Sequence, residues 1–194
     1  ICLERDAGAD ASSIPAQLSL ADWFEREHRL DDAWASVESC VARYPQNPEV
    51  LCVKALLLHR QGRNTEAETL LRDLIKTGLR DLNVAYAVRH QLAVVLDALG
   101  QYPEAMQQFT RVLADPQYGS RPKTLLAQGL CQIRAGQPAE AERSLMQSYE
   151  MEAGNPVTGY NLSLLLFQRG DLQHAQFYIR RLNNSDLANA ETLW

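Results

Sequence analysis

Small and apolar residues recur along this chain at intervals that fit pairs of helices. A Gly-x-x-x-x-Ala element, followed four positions later by an apolar residue, occurs at Gly62…Ala67…Leu71 and Gly100…Ala105…Phe109. It returns at Gly136…Ala141…Leu145 and Gly170…Ala175…Ile179, and His28…Ala33…Val37 is a copy with histidine in place of glycine. The five alanines lie 34, 38, 36 and 34 residues apart. Twelve residues before each stands another small residue: Ala21, Ala55, Ala93, Gly129 and Ser163. Apolar side chains flank that position, as Leu20 and Phe24 or Leu92 and Leu96 do. No stretch alternates with the period of two that a half-buried strand needs. Glycines and small residues in every half repeat are incompatible with a long coiled coil.

This register is that of the tetratricopeptide repeat, two antiparallel helices in a unit of about 34 residues. The pattern has a steric origin. The small residue of helix A and the alanine of helix B lie where the helices cross, so the backbones approach closely while larger residues fill the flanking grooves. Glycine ends helix A in a conformation that other residues reach only at a cost. Pro45, Pro48, Pro116, Pro122 and Pro156 fall between repeats, where a helix must stop. The expected fold is all-α, a right-handed tetratricopeptide-repeat superhelix of five helix pairs plus a partial sixth. A small, polar leader occupies residues 1–14, and the array runs over 15–194. Its repeats fall at about 15–47, 48–81, 86–119, 122–155 and 156–184, with the partial unit at 185–194. The wider spacing between Ala67 and Ala105 places an insertion around Thr77–Val84, expected to form a longer inter-repeat turn. The ending on Leu193-Trp194, inside an amphipathic segment, reads as a fragment of a longer protein.

Composition adds mainly exclusions. The 194 residues are 46% apolar and 22% charged, ordinary proportions for a globular chain. Nineteen basic against 24 acidic residues give a formal charge of −5, the wrong sign for the basic field on which nucleic-acid binding relies. The run Leu162–Phe167 is far too short to span a bilayer. Four cysteines, Cys2, Cys40, Cys52 and Cys131, contain no Cys-x-x-Cys pair and do not form a disulfide framework. Cys40 and Cys131 map to buried helix faces. Cys40 and Cys52 lie on consecutive helices, where two thiols and a disulfide are both open.

Catalytic signatures are missing. There is no phosphate-binding glycine loop, Gly-x-Ser-x-Gly elbow or His-Glu-x-x-His zinc motif. The histidines share no ligand spacing, and the Asp31-Asp32 pair fits helix capping better than acid–base work. No cofactor, metal or catalytic residue is expected, and an enzyme is disfavoured. Binding falls to the concave side lined by the A helices. The position after each crossing residue faces it: Asp22, Leu56, Val94, Leu130 and Leu164. Three further on come Glu25, His59, Asp97, Ile133 and Phe167; three before the crossing come Leu18, Cys52, His90, Leu126 and Tyr160. Arg60, Lys123 and Arg134 edge this stripe, which is most apolar towards the C-terminal half. No Lys/Asn pairs of the kind that clamp acidic C-terminal peptides are present, so an apolar peptide or helix of a protein partner is the better fit. The same residues also suit packing against a neighbouring helix.

The C-terminal half carries a further likeness. The run Phe109-Thr-Arg-Val-Leu-Ala-Asp-Pro-Gln-Tyr118, with Gly129-Leu-Cys131, resembles the type IV pilus biogenesis lipoproteins of the PilF/PilW pilotin family. Gly136-Gln137…Ala141-Glu142…Leu145, Gly170-Asp-Leu…Ala175-Gln-Phe-Tyr-Ile179 and Ala188-Asn-Ala-Glu-Thr-Leu-Trp194 continue it. The resemblance implies a non-enzymatic scaffold that assists secretin assembly or localisation, or pilus stability. It also implies a periplasmic, outer-membrane-associated location with an N-terminal lipid anchor; a cytoplasmic location stays open. The alternatives are a generic tetratricopeptide adaptor for another partner, or the repeat portion of a larger enzyme.

Overall fold

The computed structural model describes residues 29–152 and 154–184. The leader, the first helix of repeat one with Leu18, Ala21, Asp22 and Glu25, and the partial sixth unit lie outside the described residues. Those described form nine helices and no strand. They are α1 (Leu30–Arg43), α2 (Pro48–Arg60), α3 (Asn64–Lys76), α4 (Leu82–Ala98), α5 (Tyr102–Leu113), α6 (Arg121–Arg134), α7 (Pro138–Met151), α8 (Pro156–Gln168) and α9 (Leu172–Asn184). The A helices are α2, α4, α6 and α8. The chain divides into two compact units, Ile1–Leu99 and Gly100–Trp194. In the first, α1 packs on α2, α2 on α3, and α4 on both α2 and α3. In the second, each helix from α5 to α8 packs on its successor.

Local chemistry sets the helix ends. Asn47 and Asn155 cap α2 and α8, each side chain accepting from two backbone N–H groups of the first turn, with proline following at the first helical position. Asp81 caps α4 in the same way. At the turns inside repeats, Gly62, Gly100, Gly136 and Gly170 all have φ between 73° and 82°. That left-handed geometry lets the residue after the glycine reach back, as Gln137 N–H does to Gln132 O at 2.8 Å. The expected insertion takes a different form from a long turn. The connection after α3 covers only residues 77–81, and α4 begins at Leu82. The added residues lengthen α4 to 17 residues against 13 in α2 and α8, because Asp81 caps a helix start one turn earlier.

The crossing register is as the spacing requires. Ala33, Ala67, Ala105, Ala141 and Ala175 are all buried, as are Ala55, Ala93, Gly129 and Ser163. At Gly129 the approach is closest: a Cβ there would lie 2.8 Å from Leu145 Cγ and 2.9 Å from its Cδ2. In the first unit Ala33, Val37 and Leu57 form a cluster supported by Trp34, Val41 and Val53. In the second, Ala141, Leu145, Leu162, Leu165, Leu166 and Ala175 form the core. Polar groups run alongside it. Ser144 Oγ donates to Gln132 Oε1 at 2.8 Å, Ser148 Oγ donates to Pro122 O at 2.9 Å, and Thr158 Oγ1 lies 3.4 Å from Ser148 Oγ.

Candidate interaction surface

The A-helix positions expected to face a groove differ between the units, and each unit is taken by itself. In the first, Leu56 and His59 on α2 are half-buried and Arg60 is exposed. His59 Nδ1 pairs with Asn64 Oδ1 at 2.7 Å across the α2–α3 turn, so its ring orientation is set inside the repeat. On α4 Val94 is half-buried, but His90 and Asp97 are only 9% and 7% exposed. Their register predicts that both face a ligand, whereas in the structure both side chains are buried. Helix α4 is packed by α2 and α3 together, and both side chains are held by interactions within the protein.

The second unit presents a more open surface. On α6, Lys123 and Arg134 are exposed, while Leu126, Leu130 and Ile133 are half-buried. Leu126 and Ile133 pack against the core cluster of Ala141, Leu145, Leu162, Leu165, Leu166 and Ala175. On α8, Tyr160, Leu164 and Phe167 are 53%, 41% and 61% exposed. Val157, 53% exposed, stands three residues before Tyr160 and belongs to the same face. Three register positions per helix do not reach it; the signal that does is the residue six before each crossing position. The four side chains span about 15 Å of one helix face at 1.5 Å per residue. None of the 13 residues of α8 is charged. Beneath them Thr158 and Ser163 are buried, with Ser163 Oγ donating to Tyr160 O at 2.7 Å.

This arrangement offers contact area rather than bond-making groups. Among the described residues no cluster of three or more His, Cys, Asp or Glu could hold a metal ion. Cys40, Cys52 and Cys131 are thiols, with no disulfide among the described residues. Burial pushes the Cys40 thiol pKa up, only partly opposed by the Arg43 guanidinium, and so keeps it from the nucleophilic thiolate form. No described helix is long and apolar enough to cross a membrane.

Stacked helix pairs with small crossing residues, carrying an open apolar face, define a helical-repeat scaffold for protein–protein contacts. The tetratricopeptide repeat profile matches residues 18–79 and 90–156, and the chain belongs to that family. Proteins of this fold are in general non-catalytic scaffolds. No curated protein matches the chain in sequence. Among solved structures it is similar to PilW, described as a widely conserved type IV pilus biogenesis factor. The TM-score is 0.73 at 23% identity, over 86% of this chain and 74% of that one. It is similar to PilF of Pseudomonas aeruginosa, with a TM-score of 0.74 at 17% identity, over 92% of this chain and 78% of that one. A thermophilic tetratricopeptide repeat protein of Thermus thermophilus gives 0.75 at 21% identity, over 92% and 94%. At these identities the likeness establishes the fold.

Proposed function

We propose that this scaffold assists type IV pilus biogenesis, by helping the secretin assemble or reach its place or by stabilising pili, on the periplasmic side of the outer membrane. The observation that carries the reading is the uncharged face of α8, with Tyr160, Leu164 and Phe167 open on a repeat fold shared with PilW and PilF. A scaffold needs no reacting groups; it needs an exposed apolar patch to hold a partner segment. The test is deletion of the gene, with secretin multimers assayed by gel mobility and surface pili counted by microscopy. Loss of multimers or pili, restored by the wild-type gene, supports the proposal. Normal assembly of both overturns it.

A second reading is a general adaptor for a partner outside pili. The equally good fit to the Thermus protein, whose description names no pilus, favours this one. Cross-linking through a photoreactive residue at Leu164, followed by identification of the captured protein, separates the two readings.

A further inference from the structure

On α2 and α6 exposed charged side chains mark the outer side: Glu49 and Arg60, Lys123 and Arg134. A charge is costly to bury, so such groups hold their helix to one rotation. Helix α8 has no such marker. At about 100° per residue its side chains fall into two opposed faces. Leu162, Leu165 and Leu166 are buried together with Thr158, Gly159 and Ser163, while Val157, Tyr160, Leu164 and Phe167 stand outside. The outer set is at least as apolar as the inner one. Burial of apolar area therefore gives no reason for this rotation over one half a turn away.

Hydrogen bonding supplies the choice. Asn161 Nδ2 donates to Val157 O at 2.7 Å and Ser163 Oγ donates to Tyr160 O at 2.7 Å, so both are satisfied on α8 itself and follow the helix in any rotation. Thr158 reaches another helix. It is fully buried, and its Oγ1 lies 3.4 Å from Ser148 Oγ on α7. Ser148 has one hydroxyl proton and donates it to Pro122 O on α6 at 2.9 Å. Towards Thr158 it is therefore the acceptor, and Thr158 Oγ1 is the donor. The hydroxyls form a directed chain from α8 through α7 to α6, and that chain closes when Thr158 points inward. Beside it Gly159 sets the distance of approach: a Cβ there would lie 3.1 Å from Leu182 Cδ2 and 3.3 Å from Tyr149 Cε2.

We infer that Thr158 is the positioning residue of the contact face: its hydrogen bond to Ser148 fixes the rotation of α8 that leaves Tyr160, Leu164 and Phe167 open to a partner. It acts without touching that partner. The inference rests on the reading of this face as the contact surface and adds how the chain keeps it outward.

The test reads which side chains face water. Leu164→Cys on the outer face and Leu162→Cys on the inner one are made in separate copies of the 194-residue chain. The rate of maleimide labelling at each is then located by peptide mass mapping. With Thr158 in place, position 164 should label far faster than position 162. Thr158→Val keeps the shape of the side chain and drops the hydroxyl. It should slow labelling at 164 and quicken it at 162, lowering their ratio about tenfold, the equilibrium weight of one buried hydrogen bond. Ser148→Ala removes the acceptor and should do the same, while Thr158→Ser, which keeps the donor, should restore the ratio. A purely structural role would raise labelling at both positions together as the unit loosens, and that result overturns the proposal. So does an unchanged ratio in Thr158→Val, or a ratio in Thr158→Ser as low as in Thr158→Val. If one of Thr158→Val and Ser148→Ala fails to fold, the other decides. Loss of helical circular dichroism in both overturns the proposal too, since the pair would then hold the fold rather than choose a face. Labelling needs no partner and gene deletion reads pili, so failure here is distinguishable from failure of the pilus reading.

Discussion

In the first unit the helices bury Val37, Leu57, Leu71, Leu92 and Leu96, while His59, His90 and Asp97 occupy positions that in this repeat register look towards a ligand. In the second unit the buried layer includes Thr124, Gln132, Ser144, Ser148, Thr158 and Ser163, while Tyr160, Leu164 and Phe167 point outward. Polarity is thus partly reversed between equivalent faces of one repeat. The buried hydroxyls are tolerated because they are paired, which removes most of the cost of taking them out of water. The outward aromatic and aliphatic groups have no such compensation within their own helix. The comparison teaches that the repeat fixes helix crossings through a handful of small residues, and leaves the remaining faces free to diverge.

The largest expected effect comes from one register position read in two places. Leu145 is fully buried, as Val37, Leu71 and Phe109 are at the same position, whereas Ile179 is 44% exposed. Leu145→Ala should cost about 2–5 kcal/mol through lost burial and a cavity. Ile179→Ala should cost under about 1 kcal/mol, the range of surface changes. Urea unfolding followed by helical circular dichroism checks both, and equal losses would break the comparison.

A second, smaller effect concerns the crossings themselves. Ala55 and Ala93 already carry a Cβ in the first unit, whereas Gly129 in the second has Leu145 within 3 Å of where one would sit. Gly129→Ala should therefore destabilise by about 1–3 kcal/mol through overpacking. In the Leu145→Ala background the same change should become stabilising by about 1 kcal/mol, as helix propensity alone predicts. A double-mutant cycle measures this change of sign.

The smallest effect separates two ion pairs at equivalent turns. After Gly62 the pair is Arg63–Glu66 at 2.7 Å; after Gly170 it is Asp171–His174, also at 2.7 Å, with the charges reversed. The hydrogen bond from Arg63 holds the Glu66 carboxyl below its usual pKa, and hydrogen bonds from the His174 ring and backbone do the same for Asp171. A carboxylate with a lowered folded-state pKa contributes stability that is complete above the ordinary carboxylate range and is lost as pH falls through the lowered value. Both pairs should therefore hold at neutral pH and fail only in acid. The Arg63 partner stays charged throughout, its own pKa raised by the hydrogen bond to Glu66. Carbon-detected NMR titration of the two carboxyls should give values below those of model peptides. Ordinary values for both would show that these contacts do not persist in solution.

Much of the fold was legible because its rules are steric. The alanine series, the small partner twelve residues earlier and the turn glycines each answer to a single close contact or a single backbone angle. Every one of them that is described occupies the expected environment. The start of α4 was not legible, because an aspartate can cap a helix as well as Asn-Pro does, and the segment 77–84 holds no proline to mark the boundary. Coverage was the other blind spot. Register tells which way His90 and Asp97 face along α4, but not that both are buried, at 9% and 7% exposure. For the same reason register alone gives Phe167 no stronger claim to exposure than His90. The hydroxyl ladder of Ser144 and Ser148 escaped notice because isolated serines in a helix look like surface residues until their partners on α6 are placed.

The lengthened α4 bears on how such a chain changes over generations. Its repeat spacing exceeds 34 by four residues, which advances a helix by about 400°, one full turn and a remainder near 40°. Added at the mouth of a helix, four residues leave every later side chain close to its former direction, so Ala93 stays buried. One or two would have swung it through about 100° or 200° and out of its buried position. Duplications and deletions at this turn are accordingly filtered by angle rather than by size. Natural variation in length at the α3–α4 junction should fall mainly at three, four and seven residues.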